Sequence, residues 1–217
     1  MGSSKRVDAL IFDFDGLIVD TEGPGFRAWT EVYASHGCDL PFDKYSACIG
    51  TIGGFDLHGY LEEQSGRSFD RADLERACNT RWLELMKEQS LLPGIAACVS
   101  SAKSRGLKLA IASSSTQDWV TGNLRRFGLI EQFDAVCTRD MVTAVKPDPA
   151  LYLLAIERLG VTADAAIAFE DSPPGVLAAK RAGLYCIAIP NALTKDLPLD
   201  HADRRLNSIE EFDLNDV

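Results

Sequence analysis

The chain has 217 residues, 46% of them apolar, and 32 acidic side chains against 22 basic ones give a formal net charge of −10. That length supplies one or two domains with ample chain for a buried core. The acidic balance argues against nucleic acid and anionic membrane as partners.

The first ten residues, MGSSKRVDAL, hold no apolar segment of signal-peptide type, and no window approaches the length of a membrane span. A cytoplasmic monomer is the expectation. Cys38, Cys48, Cys78, Cys98, Cys137 and Cys186 are scattered through apolar stretches without a CxxC pair, which reads as reduced packing cysteines. His36, His58 and His201 lack ligand spacing, and His36 before Gly37 reads as a helix end.

VDALIFDFDG begins as a buried strand and then places two aspartates one residue apart. Alternate strand residues share a face, so Asp13 and Asp15 point the same way. Two adjacent carboxylates are costly unless a cation sits beside them or one stays protonated. At the end of the strand, Asp13 is expected to be exposed.

Residues 21–92 lose the β-branched character. Segments 26–35, 56–64 and 71–89 read as helices. In the last of these Leu74, Ala77, Cys78, Trp82, Leu85 and Met86 fall on one face, as core packing. This stretch reads as a helical insertion. From Gly94 a unit recurs as KSRGLKLAIAS, RRFGLIEQFDAV, ERLGVTADAAIAF and KRAGLYCIAI: a helix closed by glycine, then a buried strand. The alternation predicts an α/β fold with a Rossmann-like parallel sheet and helices on both faces. The expected division is a core of residues 1–20 and 93–217 with an α-helical cap of residues 21–92. The polar tail after Pro190 carries little pattern.

Open α/β sheets bind ligands beyond the carboxyl ends of their strands. The first strand ends in Asp13, Asp15 and Gly16, the second in Ser113, Ser114 and Ser115, and the third leads to AVKPDP with Lys146. The fourth ends in Glu170 and Asp171. Ser114 and Ser115 are equally readable as caps of the helix near Gln117, whereas Ser113, at the strand end, suits a phosphate. Pro147 restricts the backbone of Lys146. In DSPPG, Ser172 is a natural N-cap with Pro173 at the first helical position. Glu170 and Asp171 are left without a structural duty, which suggests a divalent cation.

DFDGLIVDTE, the serine after LAIA, the lysine of VKPDP and FEDSPPGVLAAKRAG together resemble the haloacid dehalogenase superfamily, in its phosphatase-like branch with a helical cap after the first strand. The resemblance spans residues 7–190, with Leu17 in place of the threonine or valine often found there. It implies that Asp13 attacks phosphorus to form an aspartyl phosphate, and that Mg²⁺ is held by the Asp13 side chain, the Asp15 main-chain carbonyl, Asp171, and Glu170 directly or through water. Asp15 would serve as acid and then base, Ser113 and Ser114 would hold the phosphoryl group, and Lys146 would offset its charge.

The implied activity is hydrolysis of a small phosphorylated metabolite, a sugar phosphate in the first instance. Asp15 sets the chain apart from true dehalogenases and from phosphonatases. LIVDTE and FRAW also resemble beta-phosphoglucomutases, the alternative reading. Those enzymes place a histidine in the hinge and an arginine in the cap loop, where this chain has Gly25 and Gly53. Loop 48–55 is expected to face the core, as a turn between cap helices or as an anion nest.

Overall fold

The computed structural model describes residues 7–50 and 54–215. Strand β1 (Ala9–Phe12) is followed by four helices, α1 (Glu22–Ser35), α2 (Phe42–Ser46), α3 (Leu57–Ser65) and α4 (Arg71–Met86). Then come α5 (Ile95–Ser104), β2 (Lys108–Ser113), α6 (Gln117–Arg126), β3 (Ala135–Thr138), α7 (Ala150–Leu159), β4 (Ala166–Glu170), α8 (Pro173–Arg181), β5 (Tyr185–Ala188) and β6 (Arg204–Arg205). The strands form one parallel six-stranded sheet in the order β3-β2-β1-β4-β5-β6. The chain reverses its direction of travel across the sheet at β1, which makes the carboxyl ends of β1, β2 and β4 the switch point where such sheets bind ligands.

Alternation of small and large side chains builds the two helical layers. Ala9, Ala110, Ala112, Ala166 and Ala168 lie on one face under α7 and α8, while Leu10, Phe12, Leu109, Ile111, Ile167 and Phe169 lie on the other under α5 and α6. Glycines end the helices as the sequence indicates: Gly160 caps α7 in the left-handed region at φ 62°, and Gly106 follows α5 at φ 76°.

Helices α1 to α4 pack an apolar cluster of their own, including Ala28, Tyr33, Leu61, Leu74, Cys78 and Leu85. Helix α1 starts four residues before the expected segment, α4 ends three residues earlier, and the short α2 had no counterpart in the sequence reading. One side chain of the expected apolar face differs, and another packs on two bodies at once. Ala77 is exposed. Trp82 is half-buried between α4 and the sheet domain, where its ring lies 4.4 Å from that of Trp119 on α6.

The tail carries more structure than its composition suggested. It adds β6 beside β5 and buries Leu206, Ile209 and Leu214 against the bulky face of the sheet. The six cysteines are free. Among the described residues, no helix is long and apolar enough to cross a membrane.

Candidate active site

Register places the acids. Ile11 pairs with Ala168 and Phe12 with Phe169, so Asp13 and Glu170 follow as neighbours at the carboxyl ends of adjacent strands. By the two-residue period both inherit the alanine face, beneath α7. The Asp13 N–H continues the ladder, donating to the Phe169 carbonyl at 3.0 Å.

Asp13 is only 6% exposed, so the expectation of an exposed strand-end group is wrong; it sits among Lys146, Glu170 and Asp171. Lys146, 2% exposed, is brought in by the loop after β3. Its ammonium contacts the Asp13 carboxylate and lies 2.6 Å from Glu170. Nor is Glu170 without a structural duty, since its carboxylate also accepts from the Tyr152 hydroxyl at 2.5 Å and the Ser172 hydroxyl at 3.3 Å. As expected, Ser172 caps α8, accepting from the Gly175 N–H at 3.3 Å.

Asp13, Glu170 and Asp171 each offer one carboxylate oxygen, and these atoms lie within 4.8 Å of one another. At such spacing two unit charges repel by about 4 kcal/mol at a protein's effective dielectric. One ammonium cannot balance three carboxylates. Burial pushes the Asp13 carboxyl up to about 8 despite Lys146, with Glu170 and Asp15 adding to the rise. Burial, then Asp13 and Glu170, also holds Asp171 well above the carboxylate range. For Lys146, burial works to lower the pKa, but the Asp13 and Glu170 carboxylates outweigh it and hold the ammonium charged. A buried, all-oxygen, anionic cluster of this kind fits a hard divalent cation such as Mg²⁺.

Asp15 leaves the strand on a different course and belongs to the neighbouring cleft. Its Oδ2 accepts from the Ser113 hydroxyl at 3.0 Å and the Ser115 hydroxyl at 2.7 Å, and its Oδ1 accepts from the Trp119 indole N–H at 3.0 Å. Neither Ser114 nor Ser115 caps α6: Thr116 does, its side chain accepting from the Trp119 N–H at 3.4 Å. Ser114 is thereby released to the cleft wall, where its buried hydroxyl has no hydrogen-bond partner among the described residues.

The cleft has a volume of about 720 Å³ between the helices after β1 and the ends of the strands. Asp15, Ser114 and Arg139 line one side, with Glu22, Tyr45 and Trp82 opposite. Gly25 also lines it, and the Tyr45 hydroxyl fills the space that a side chain there would need. Gly53 lies outside the described residues. Gly50, where the same loop begins, lies against Ser172 and Pro174 of the core.

Sequence reasoning missed several contributors. Asn191 donates to Asp171 at 2.8 Å and to the Gly16 carbonyl at 3.3 Å. The signal for it was its position just past β5, a strand end that had not been searched. Tyr152 and Trp119 sit on helices and carry no local motif, and Glu22, though it closes DFDGLIVDTE, had been given no role.

Residues 10–189 match the family model of the haloacid dehalogenase-like hydrolases. The chain belongs to this family. YhcW of Bacillus subtilis is 43% identical over 208 residues, covering 96% of this chain and 94% of that protein. The phosphorylated carbohydrates phosphatase of Thermotoga maritima is 36% identical over 182 residues, 82% of each chain. Among solved structures, a CbbY mutant from Rhodobacter sphaeroides in complex with xylulose-(1,5)bisphosphate superposes with a TM-score of 0.78 at 34% identity, covering 94% of this chain and 96% of that one.

Proposed function

We propose that this chain is a Mg²⁺-dependent phosphatase that hydrolyses a small phosphomonoester, a sugar phosphate in the first instance, through an aspartyl phosphate on Asp13. The observation that carries the reading is the buried triad of Asp13, Glu170 and Asp171 with Lys146 against it. It adjoins a cleft that holds Asp15 and a spare serine hydroxyl.

Asp13, Asp171, Glu170 and the Asp15 main-chain carbonyl are the proposed ligands. When bound, the cation supplies positive charge that screens the approach of one anion to another. An Asp13 oxygen attacks phosphorus as the bond to the leaving oxygen breaks, and the Asp15 carboxyl delivers its proton to that oxygen. In the second half Asp15 takes a proton from water, whose oxygen bonds to phosphorus as the bond from phosphorus to the Asp13 carboxylate oxygen breaks. Ser113 and Ser114 hold phosphoryl oxygens, and Lys146 offsets the charge on nucleophile and phosphoryl group.

Residues 21–92 act as a cap over the core of residues 1–20 and 93–217, excluding bulk water from the reaction. The phosphatase reading is preferred to a mutase because Gly25 stands where the mutases place a histidine. The Tyr45 hydroxyl occupies that space and offers no cation for a second phosphate. The proposed setting is a monomer in the cytoplasm, acting on metabolites and not on nucleic acid. The test is phosphate release from phosphomonoesters with Mg²⁺, alongside Asp13→Asn. Loss of turnover in a variant that still melts cooperatively is expected, and near-wild-type activity in the variant removes Asp13 from the mechanism.

A further inference from the structure

One core helix touches both the candidate acid and the helical insertion. Trp119, in the first turn of α6, donates its indole N–H to Asp15 Oδ1 at 3.0 Å. The other face of contact is Trp82 of α4, whose ring lies 4.4 Å away at 37°, close enough for aromatic stacking. Trp82 in turn donates to the carbonyl of Thr21, at the junction between β1 and α1, at 3.3 Å. Further along α6, Arg126 donates to the carbonyls of Met86, Lys87 and Gln89 at 2.7–2.8 Å and so holds the end of α4 on the same helix.

We propose that Trp119 is the positioning residue for Asp15, and that Trp82 seats it only while the insertion is closed over the core. The inference rests on Asp15 serving as the acid of the proposed phosphatase reaction. Ser113 has one hydroxyl proton, which here goes to Asp15. A phosphoryl group that claims that proton leaves Asp15 to Ser115 and Trp119. Among the described residues, Trp119 is then the donor that stops the carboxyl plane from turning, because Ser115 grips only Oδ2. Closure of the insertion over a substrate therefore aims the proton donor at the moment it is needed.

The experiment compares kcat/KM for two aryl phosphates with Mg²⁺. Phenol ionises near 10, like tyrosine, and needs a proton to leave, whereas p-nitrophenol does not. Because kcat/KM reports the phosphoryl-transfer half, the ratio of p-nitrophenyl to phenyl phosphate measures proton delivery alone. Trp119→Phe keeps an aromatic ring against Trp82 and removes the N–H. The ratio is expected to rise about tenfold, the worth of a hydrogen bond to a charged group, and by more in Asp15→Asn.

A Trp119→Phe variant that slows both esters equally, or neither, while Asp15→Asn raises the ratio overturns the positioning role and leaves the phosphatase reading standing. An unchanged ratio in Asp15→Asn removes the acid itself, and the inference falls with it. Trp82→Phe, which retains the donor but loosens its seat, is expected to move the ratio about twofold in the same direction. It decides the matter if Trp119→Phe does not fold, and an unchanged ratio in the folded Trp82→Phe protein rejects the coupling to closure.

Discussion

Gly175 and Glu170 are in such close contact that the Glu170 carboxylate occupies the space a β-carbon at residue 175 would fill. The glycine lies in the first turn of α8, and its N–H is the donor to the capping hydroxyl of Ser172. Gly175→Ala is therefore expected to displace either the start of α8 or the acid. Overpacking of this sort costs about 1–3 kcal/mol, a fall of several degrees in Tm for a domain of this size. Because Glu170 anchors Lys146 and Tyr152, activity should fall well beyond what the melt accounts for. A variant with wild-type activity and Tm would mean that the helix shifts without disturbing the cluster.

Removing the metal gives the second expectation. EDTA should stop phosphate release, and added Mg²⁺ should restore it. Asp171→Ala should raise the Mg²⁺ requirement steeply. Asn191 orients Asp171 without belonging to the acidic triad, through its 2.8 Å hydrogen bond. Loss of an outer partner of a ligand typically costs on the order of 10- to 100-fold in metal affinity, so Asn191→Ala should raise the Mg²⁺ concentration for half-maximal activity at least about tenfold. A titration curve that superposes on wild type would free Asp171 from dependence on this contact.

Glu22 provides a pH dependence with a definite sign. Burial, followed by the charges of Asp15, Asp13 and Asp20, pushes its carboxyl from an ordinary 4.5 up to about 8. Between those values the unfolded chain has lost a proton that the folded chain keeps, so stability falls as pH rises through the window. Glu22→Gln should flatten the fall of Tm between about pH 5 and about pH 8 in metal-free protein, with the largest gain over wild type at the alkaline end. Asp13 and Asp171, also raised, keep part of the slope. An unchanged slope would place the whole pH dependence on those two.

These sites differ in how far the sequence disclosed them. Asp13, Glu170, Asp171 and Lys146 were legible because strand ends are marked by apolar runs and the switch point gathers them. The parallel sheet and its two layers followed from strand and helix alternation closed by glycine. Trp119 was hidden because a tryptophan on an amphipathic helix looks the same whether it fills a core or holds a carboxylate. Trp82 packs as expected, but against the sheet domain as well as the insertion: helical periodicity shows which residues share a face, not which body that face meets. Asn191 was passed over because the tail has little hydrophobic pattern, although its position after β5 obeys the same strand-end rule as the others. The serine pair illustrates competition between two uses of a hydroxyl, which Thr116 resolved by taking the cap.

The identity of the substrate depends on the cleft walls. A volume of about 720 Å³ takes a sugar-sized molecule, and a phosphoprotein would not fit within it. Opposite Asp15 the cleft presents Glu22, Glu75, Asn79 and Trp82, and among the described residues its cation is Arg139. Acids repel a second phosphate, while an indole face and an amide suit the carbon face and hydroxyls of a sugar. With Gly25 closed off by Tyr45, little would retain a bisphosphate while it turned around. A panel of phosphorylated metabolites scored for free phosphate with Mg²⁺ should therefore favour sugar monophosphates over xylulose-1,5-bisphosphate. β-Glucose 1-phosphate with a trace of bisphosphate, scored separately for glucose 6-phosphate, is the decisive arm: phosphate release should outrun isomerisation. Rapid isomerisation with little free phosphate would show that the cleft holds the second phosphate after all, and the chain would then be a mutase.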